Sequence, residues 1–346
     1  MIGKRVWPWL LVLGCGLALS LSLIYADYRH FLEMPLSVPA QGLVLDIKPG
    51  TGISHLARQL HEQSAMSRPP LYLETYARLN GLASRLKAGE YALTADLTPL
   101  LLLDRIVAGR VIQYSLTVVE GWTFRQLRQA LVAHPKLVQT LSGLSDTEVM
   151  ARLNRPGDHP EGRFLPDTYH FPTGFTDEAF LQRALTAMDQ RLAEIWNQRA
   201  PDVPLQNADQ ALILASIIEK ETGVAAERAE IAGVFTRRLR QGMRLQTDPT
   251  VIYGLGEAFD GNLRRRDLET DTPYNTYTRS GLPPTPIALP GMAALEAAVN
   301  PAPGDTLYFV ADGQGGHVFS RTLEEHNRAV RRYQLKKPSL PQVSPD

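Results

Sequence analysis

The chain has 346 residues, 44% hydrophobic and 21% charged, the make-up of a globular protein with a full core and a length for about two or three domains. Its 36 basic and 36 acidic residues cancel. That argues against nucleic acid as a partner, since such partners select a basic excess; a neutral sugar polymer makes no such demand. The one cysteine, Cys15, lies in an apolar run, so neither a disulfide framework nor a cysteine metal site is available.

From Val6 to Tyr25 nearly every residue is apolar, and roughly 20 such residues span a bilayer as a helix. Lys4 and Arg5 precede the run, so the positive-inside rule puts the N-terminus in the cytoplasm and the remainder outside it. Trp7, Trp9 and Tyr25 stand near the ends of the run, where amphipathic rings favour the headgroup level. A signal peptide cut after the small residues Ala18 and Ser20 leaves the apolar run continuing past the cut. A lipoprotein ending at Cys15 places bulky Leu13 in its recognition sequence. The expectation is a retained single-pass anchor over residues 1–26, with residues 6–25 in the lipid, followed by a polar, Pro-containing linker over 27–41.

The alternating run Leu43–Ile47 reads as a strand, Lys48-Pro49-Gly50 as a turn, and Thr51 or Ser54 as the cap of a helix with Ile53, Leu56, Ala57 and Leu60 on one face. A second amphipathic helix over Leu71–Leu79 follows Pro69-Pro70, and Gly89–Leu93 reads as another strand. The segment Leu45–Leu56 aligns with Leu116–Leu127, both strand, glycine turn, helix, with Leu60 and Leu131 at matching offsets. Duplication and two copies of a common unit remain equal readings. The βααβ order of the first copy looks like a LysM-type sugar-binding module.

Residues 156–172 read as a loop, and helices follow at roughly Asp177–Gln198, Asn207–Glu221 and Ala225–Gln241. A Pro/Gly-rich stretch runs from Tyr274 to Gly291. Leu307–Val310 and His317–Ser320 flank Asp312–Gly316 as a hairpin. Thr322 and Glu325 make a capping box for a last helix to about Leu335, before a Pro/Ser-rich tail at 337–346.

The segment Ala211–Thr222 carries the most chemistry. It is apolar on every side before Glu219, so the helix is buried nearly all round. Leu212, Ala215 and Ser216 lie on the stripe leading to Glu219, and the small residues Ala215 and Ser216 allow close approach. A carboxyl at the end of that stripe is partly desolvated, which raises its pKa and keeps it protonated, as donating a proton to a glycosidic oxygen requires. The bland alternative is the solvated end of a helix. Short polar groups crowd Met243–Tyr253 and Tyr274–Tyr277, and the prolines of Ser280–Pro290 stiffen a loop with two nearby tyrosines. Rings that stack on pyranose faces and amides that bond hydroxyls suit sugar binding; an ordinary proline-rich surface loop is the plain alternative. No zinc, phosphate-loop or nucleophile-elbow motif is present. His317 and His326 are expected to be structural.

Together these segments resemble the endolytic murein transglycosylase, or YceG-like, family over nearly the whole chain after the anchor. Leu214–Thr222 resembles its catalytic helix, Leu245–Tyr253 a second signature, and Tyr274–Tyr277 with Gly281–Pro284 a third. Glu161-Gly162 and Pro166–Tyr169 match a fourth, which Arg163–Leu165 follow loosely. The resemblance implies that Glu219 is the essential acid/base. It implies cleavage of the MurNAc-β-1,4-GlcNAc bond inside peptidoglycan strands, without water and without cofactor or metal, to leave 1,6-anhydroMurNAc ends and terminate strand elongation beside cell-wall synthases (penicillin-binding proteins). Gln246, Asp248, Asn275, Tyr277, Ser216 and Glu161 are the expected substrate contacts. The expected fold is α+β: a transmembrane helix, a LysM-like subdomain over 42–110 and a mixed α/β catalytic domain over 111–336. The expected location is the inner membrane with the catalytic part periplasmic. The alternatives are a lysozyme-like hydrolase using Glu221, Asp248 or Asp167 as second carboxylate, and a non-catalytic glycan-binding scaffold.

Overall fold

A computed structural model describes residues 7–334; Lys4, Arg5 and the tail at 337–346 lie outside the described residues. The chain divides into two compact units, residues 1–114 with 170–174, and residues 115–169 with 175 onward.

The first unit begins with α1 (Trp7–Glu33), long and apolar enough to cross a membrane. The hydroxyl of Ser20 donates to Gly16 O (2.9 Å), which satisfies it without water. Composition suggested a linker from Asp27, but the helix continues to Glu33. Phe31 and Leu32 on its last turns are only 2% and 4% exposed. Half-buried Asp27 ties these turns to the rest of the unit, accepting from Arg68 Nη2 (2.6 Å) and Tyr72 OH (3.1 Å).

Strand β1 (Leu43–Ile47) is followed by α2 (Ile53–Glu62), α3 (Pro70–Leu79) and β2 (Gly89–Leu93). The strands pair antiparallel, with Leu45 opposite Tyr91. As the spacing predicts, Ile53, Leu56, Ala57 and Leu60 are the buried face of α2. Its N-cap is Gly52, with no side-chain cap, since the Ser54 hydroxyl instead donates to Glu74 Oε2 (2.6 Å). Helix α4 (Pro99–Ala108), which the sequence reading missed, closes this core with Leu102, Leu103 and Ile106. Thr98 caps it through Leu101 N (3.3 Å), and Gly109 ends it in the left-handed conformation.

The chain enters the second unit along β3 (Tyr114–Thr117), then α5 (Phe124–Ala133) and α6 (Asp146–Arg152), each with a capping box. The 156–172 loop holds one short strand, β4 (Thr168–Phe171). Val118 N donates to Asp167 O (2.9 Å) beside it. Next come α7 (Asp177–Asn197), α8 (Ala208–Glu221), α9 (Arg228–Arg240), α10 (Asp248–Leu255), α11 (Arg265–Glu269) and α12 (Met292–Val299). The last three went unread because Pro249, short length and an Ala-rich, unpatterned run obscure them. The antiparallel hairpin of β5 (Tyr308–Ala311) and β6 (His317–Ser320) and the capped α13 (Leu323–Tyr333) agree with the sequence expectation. The fold is thus mixed helix and sheet, with the strands in two-stranded pairs. In the second unit the core is helical, with α8 surrounded by α7, α9, α10 and α12.

Leu56→Ala should cost the first unit about 2–5 kcal/mol. Leu79→Ala, at an 80% exposed position of α3, should cost under about 0.5 kcal/mol. Urea titration of the full chain in detergent measures both.

Candidate active site

Asn207 starts α8 by accepting from Gln210 N (2.9 Å), and every residue from Ala211 to Ile218 is buried. At the far end Thr222 turns extended, and its hydroxyl accepts from Val224 N (2.9 Å). The final turn therefore carries Glu219, Lys220 and Glu221 out of a dry core. Residues two apart point about 200° away from each other on a helix, so the two carboxyls enter different surroundings.

Glu219 faces the 119–122 turn and the 287–291 strap. Gly121 N donates to Leu289 O (2.8 Å) and Leu289 N to Trp122 O (2.7 Å). Lys220 Nζ donates to Gly121 O (3.2 Å). Glu219 Oε2 accepts from Gly291 N (3.0 Å), and Arg228 Nη2 is 3.9 Å from Oε1. The side chain is 7% exposed. Burial pushes its pKa up; the Gly291 N–H pulls it down, Glu120 adds upward, and Arg228 and Lys220 oppose. The Glu120 side chain lies over Gly291: a Cβ there would fall 1.8 Å from Glu120 Oε1, so that side chain would have to move.

Glu221 faces the other signature segments. The Thr247 hydroxyl donates to its Oε1. Burial raises its pKa to about 7, with the Thr247 bond opposing, Asp248 adding, and His317 and Arg238 opposing. Buried threonines tie the two loops here. Thr247 N donates to Thr276 Oγ1 (3.0 Å), Thr250 Oγ1 bonds Thr276 Oγ1 (2.9 Å), and Gln246 N donates to Thr276 O (3.2 Å). This pairing holds Gln246 at φ +52, a conformation unusual for a residue with a side chain. Tyr277 OH donates to Asp248 Oδ1 (2.5 Å). Gln246, Asp248 and Tyr277 line one cavity of about 530 Å³ with Glu221.

The structure thus brings three expected contacts together, around Glu221. The other three are buried away from that cavity and hydrogen-bonded within the fold. Asn275 is fully buried; its amide donates to Leu268 O (3.0 Å) and Thr270 O (2.6 Å) and accepts from Tyr277 N (2.9 Å). Ser216, also fully buried, donates to Ile213 O (2.7 Å) and accepts from Ile287 N (3.0 Å). Glu161 is buried, accepting from Phe124 N (2.9 Å) and Tyr253 OH (3.1 Å), and burial raises its pKa to about 7. Beside it Gly162 sits at φ +81, with its missing Cβ position 2.6 Å from Pro286. Asp167 is exposed at the start of β4 and accepts from Thr168 N (2.7 Å).

Sequence reasoning missed Glu120, which reaches Glu219 only through the fold, and Arg238, Tyr308 and His326 as cavity residues. A signal was present in Arg237-Arg238, two arginines in an otherwise apolar helix face. Both are buried, and Arg238 donates to Leu245 O (2.7 Å) and Leu307 O (2.7 Å).

A carboxyl held protonated near neutral pH at the edge of a polar, aromatic cleft defines a candidate acid–base site. Comparison with known proteins gives the class a family. The profile of the YceG-like family matches residues 45–332, and the chain belongs to that family. A Bacillus subtilis protein named endolytic murein transglycosylase is 32% identical over 84% of each chain. One of the same name from Streptococcus pneumoniae D39 is 27% identical over 88% of this chain, which spans 61% of its length. A solved structure of a YceG-like protein from Listeria monocytogenes superposes with a TM-score of 0.54 at 32% identity, covering 84% of this chain and 99% of that one.

Both Glu161 and Glu221 hold a proton up to about pH 7 in the fold and lose it from an ordinary value of 4.5 when unfolded. Between those values the folded state binds more protons, so stability should fall as pH rises through that window. Glu161→Gln should flatten the dependence of the urea midpoint on pH between about 4.5 and 7.

Proposed function

We propose that the chain is a lytic transglycosylase of peptidoglycan that cuts MurNAc-β-1,4-GlcNAc bonds inside the strand. The observation that carries the reading is the cavity joining Glu221 to Gln246, Asp248 and Tyr277. It couples a proton donor poised near neutral pH to amide, phenol and carboxyl groups suited to sugar hydroxyls. The names of the relatives point to the same substrate.

In this mechanism protonated Glu221 gives its proton to the leaving O4 as the bond from C1 breaks. Ionised, it takes the proton from the muramyl C6 hydroxyl as O6 closes on C1. One proton moves from O6 to O4, one C–O bond replaces another, and no water enters. One carboxyl therefore suffices, where hydrolysis needs two. Asp248, bonded to Tyr277, supplies negative charge opposite the oxocarbenium carbon.

Three observations support Glu221 over Glu219, the sequence expectation for this role. Glu221 lines the cavity. The second and third signature segments gather on it. Glu219 is bonded to the 291 strap and flanked by Arg228. Glu219 then serves to hold the strap and the 119–122 turn.

Around this centre, α1 acts as the anchor in the inner membrane, with the N-terminus cytoplasmic and residues 111–336 forming the periplasmic catalytic domain. The βααβ unit over 42–110 is LysM-like and holds glycan, and cutting beside penicillin-binding synthases terminates growing strands. The antiparallel β1–β2 pair enclosing two helices supports the LysM comparison.

Purified peptidoglycan incubated with the full chain in detergent, and read by mass spectrometry, tests the assignment. Glu221→Gln should lower release of anhydro-muramyl products by about 10²–10⁴-fold, and Glu219→Gln by less than about tenfold. The reverse order would return the acid to Glu219. Full activity in both would favour a scaffold.

A further inference from the structure

The C-terminal hairpin and helix, whose His317 and His326 were expected to be structural, form the opposite wall of the cleft. The cavity that holds Glu221 continues between β5 and α13, where Tyr308, His326 and Asn327 line it. The Tyr308 ring stacks with His326, centroids 5.4 Å apart and planes at 26°. The Arg238 guanidinium lies 5.1 Å from the Tyr308 centroid. A wall stacked in this way is already ordered, which lowers the entropic cost of binding.

The charge of the lining selects the ligand. Among its residues Glu221 and Asp248 are acids. Arg238, the cation between them, is turned to backbone, with Nε on Leu307 O and Nη1 on Leu245 O (both 2.7 Å). His317 bonds Glu227 through Nδ1 (2.8 Å). Arg238 is spent on backbone carbonyls and His317 on Glu227, so the lactyl group and acidic peptide of a muramyl residue find no free counter-charge.

His326 supplies the complementary polar group. Burial, followed by Arg238, pushes its pKa down, which favours the neutral ring with its one donor and one acceptor. Its Nδ1 is buried and has no hydrogen-bond partner among the described residues, a costly state that a ligand donor would relieve. Asn327, one residue on and exposed, adds an amide that matches an acetamido group.

We propose that β5 and α13 form a subsite for an uncharged N-acetylhexosamine, with His326 and Asn327 as its polar contacts. The inference rests on the glycan-cutting reading above and specifies which sugar of the strand meets this wall. In an alternating strand both neighbours of the cleaved muramyl residue are N-acetylglucosamine. A subsite adjoining the acid on either side therefore takes that sugar.

The test uses the full chain in detergent micelles, carrying Glu221→Gln and ¹⁵N-labelled histidine, titrated with chitotetraose. The His326 imidazole signal, identified by its absence in His326→Ala, should move with occupancy. His326→Ala and Asn327→Ala should each weaken binding by about tenfold, and, with Glu221 in place and peptidoglycan as substrate, should raise KM more than they lower kcat. Absence of binding, binding that leaves the His326 signal unmoved, or parental affinity in a folded His326→Ala chain would each overturn the subsite. Product analysis of the wild type separates this from the reading it rests on. Anhydro products with an unmoved His326 sink the subsite alone. A moving His326 without anhydro products sinks the reading of the reaction.

Discussion

Helix α8 is packed from every direction as far as Ile218, so its last turn must deliver two carboxyls into surroundings that disfavour charge. Most of the second unit answers that constraint. On one side a backbone N–H from Gly291 and the guanidinium of Arg228 meet Glu219. On the other a hydroxyl from Thr247 meets Glu221, with a cavity beyond it. The difference is chemical. Burial raises the pKa of both, but Glu219 is tied to an N–H with a cation 3.9 Å away, whereas Glu221 meets one hydroxyl and borders a cleft.

The cleft depends in turn on buried side chains that never reach it. Asn275 closes the end of α11 onto the 274–277 segment, and Thr247, Thr250 and Thr276 bind that segment to the start of α10. Arg238 holds the 245 segment and β5 from behind. These polar groups are buried with their hydrogen bonds made, which rigidifies loops that would otherwise be mobile. The proposed reaction, which needs O6, C1 and O4 held against one carboxyl, gains from such rigidity.

Much of this was legible in the sequence. The apolar run to Ile218, the amphipathic spacing of α2, the hairpin glycines at 313–316 and the Thr322 capping box each carry a local physical signal, and each matches the structure. Asp27–Glu33 misled because polar residues in a linker and polar residues bonded to a neighbouring helix look alike. Helix α12 lacks a polar face to reveal its period. Spacing alone does not separate Glu219 from Glu221: both end the same buried helix, and the return of the chain at 245–248 and 275–277 gives Glu221 its own surroundings. The burial of Asn275 and Ser216 was not legible for a related reason, since an amide or hydroxyl in a signature is as useful for holding a loop as for holding a sugar.

The central claim is that one carboxyl closes the ring with the substrate's own hydroxyl, leaving no step for water. Digestion of peptidoglycan by the full chain in H₂¹⁸O tests it directly. The account predicts anhydro-muramyl ends that carry no ¹⁸O. Reducing muramic ends bearing one solvent ¹⁸O would contradict it, and would direct attention to Asp248 as the base that activates water.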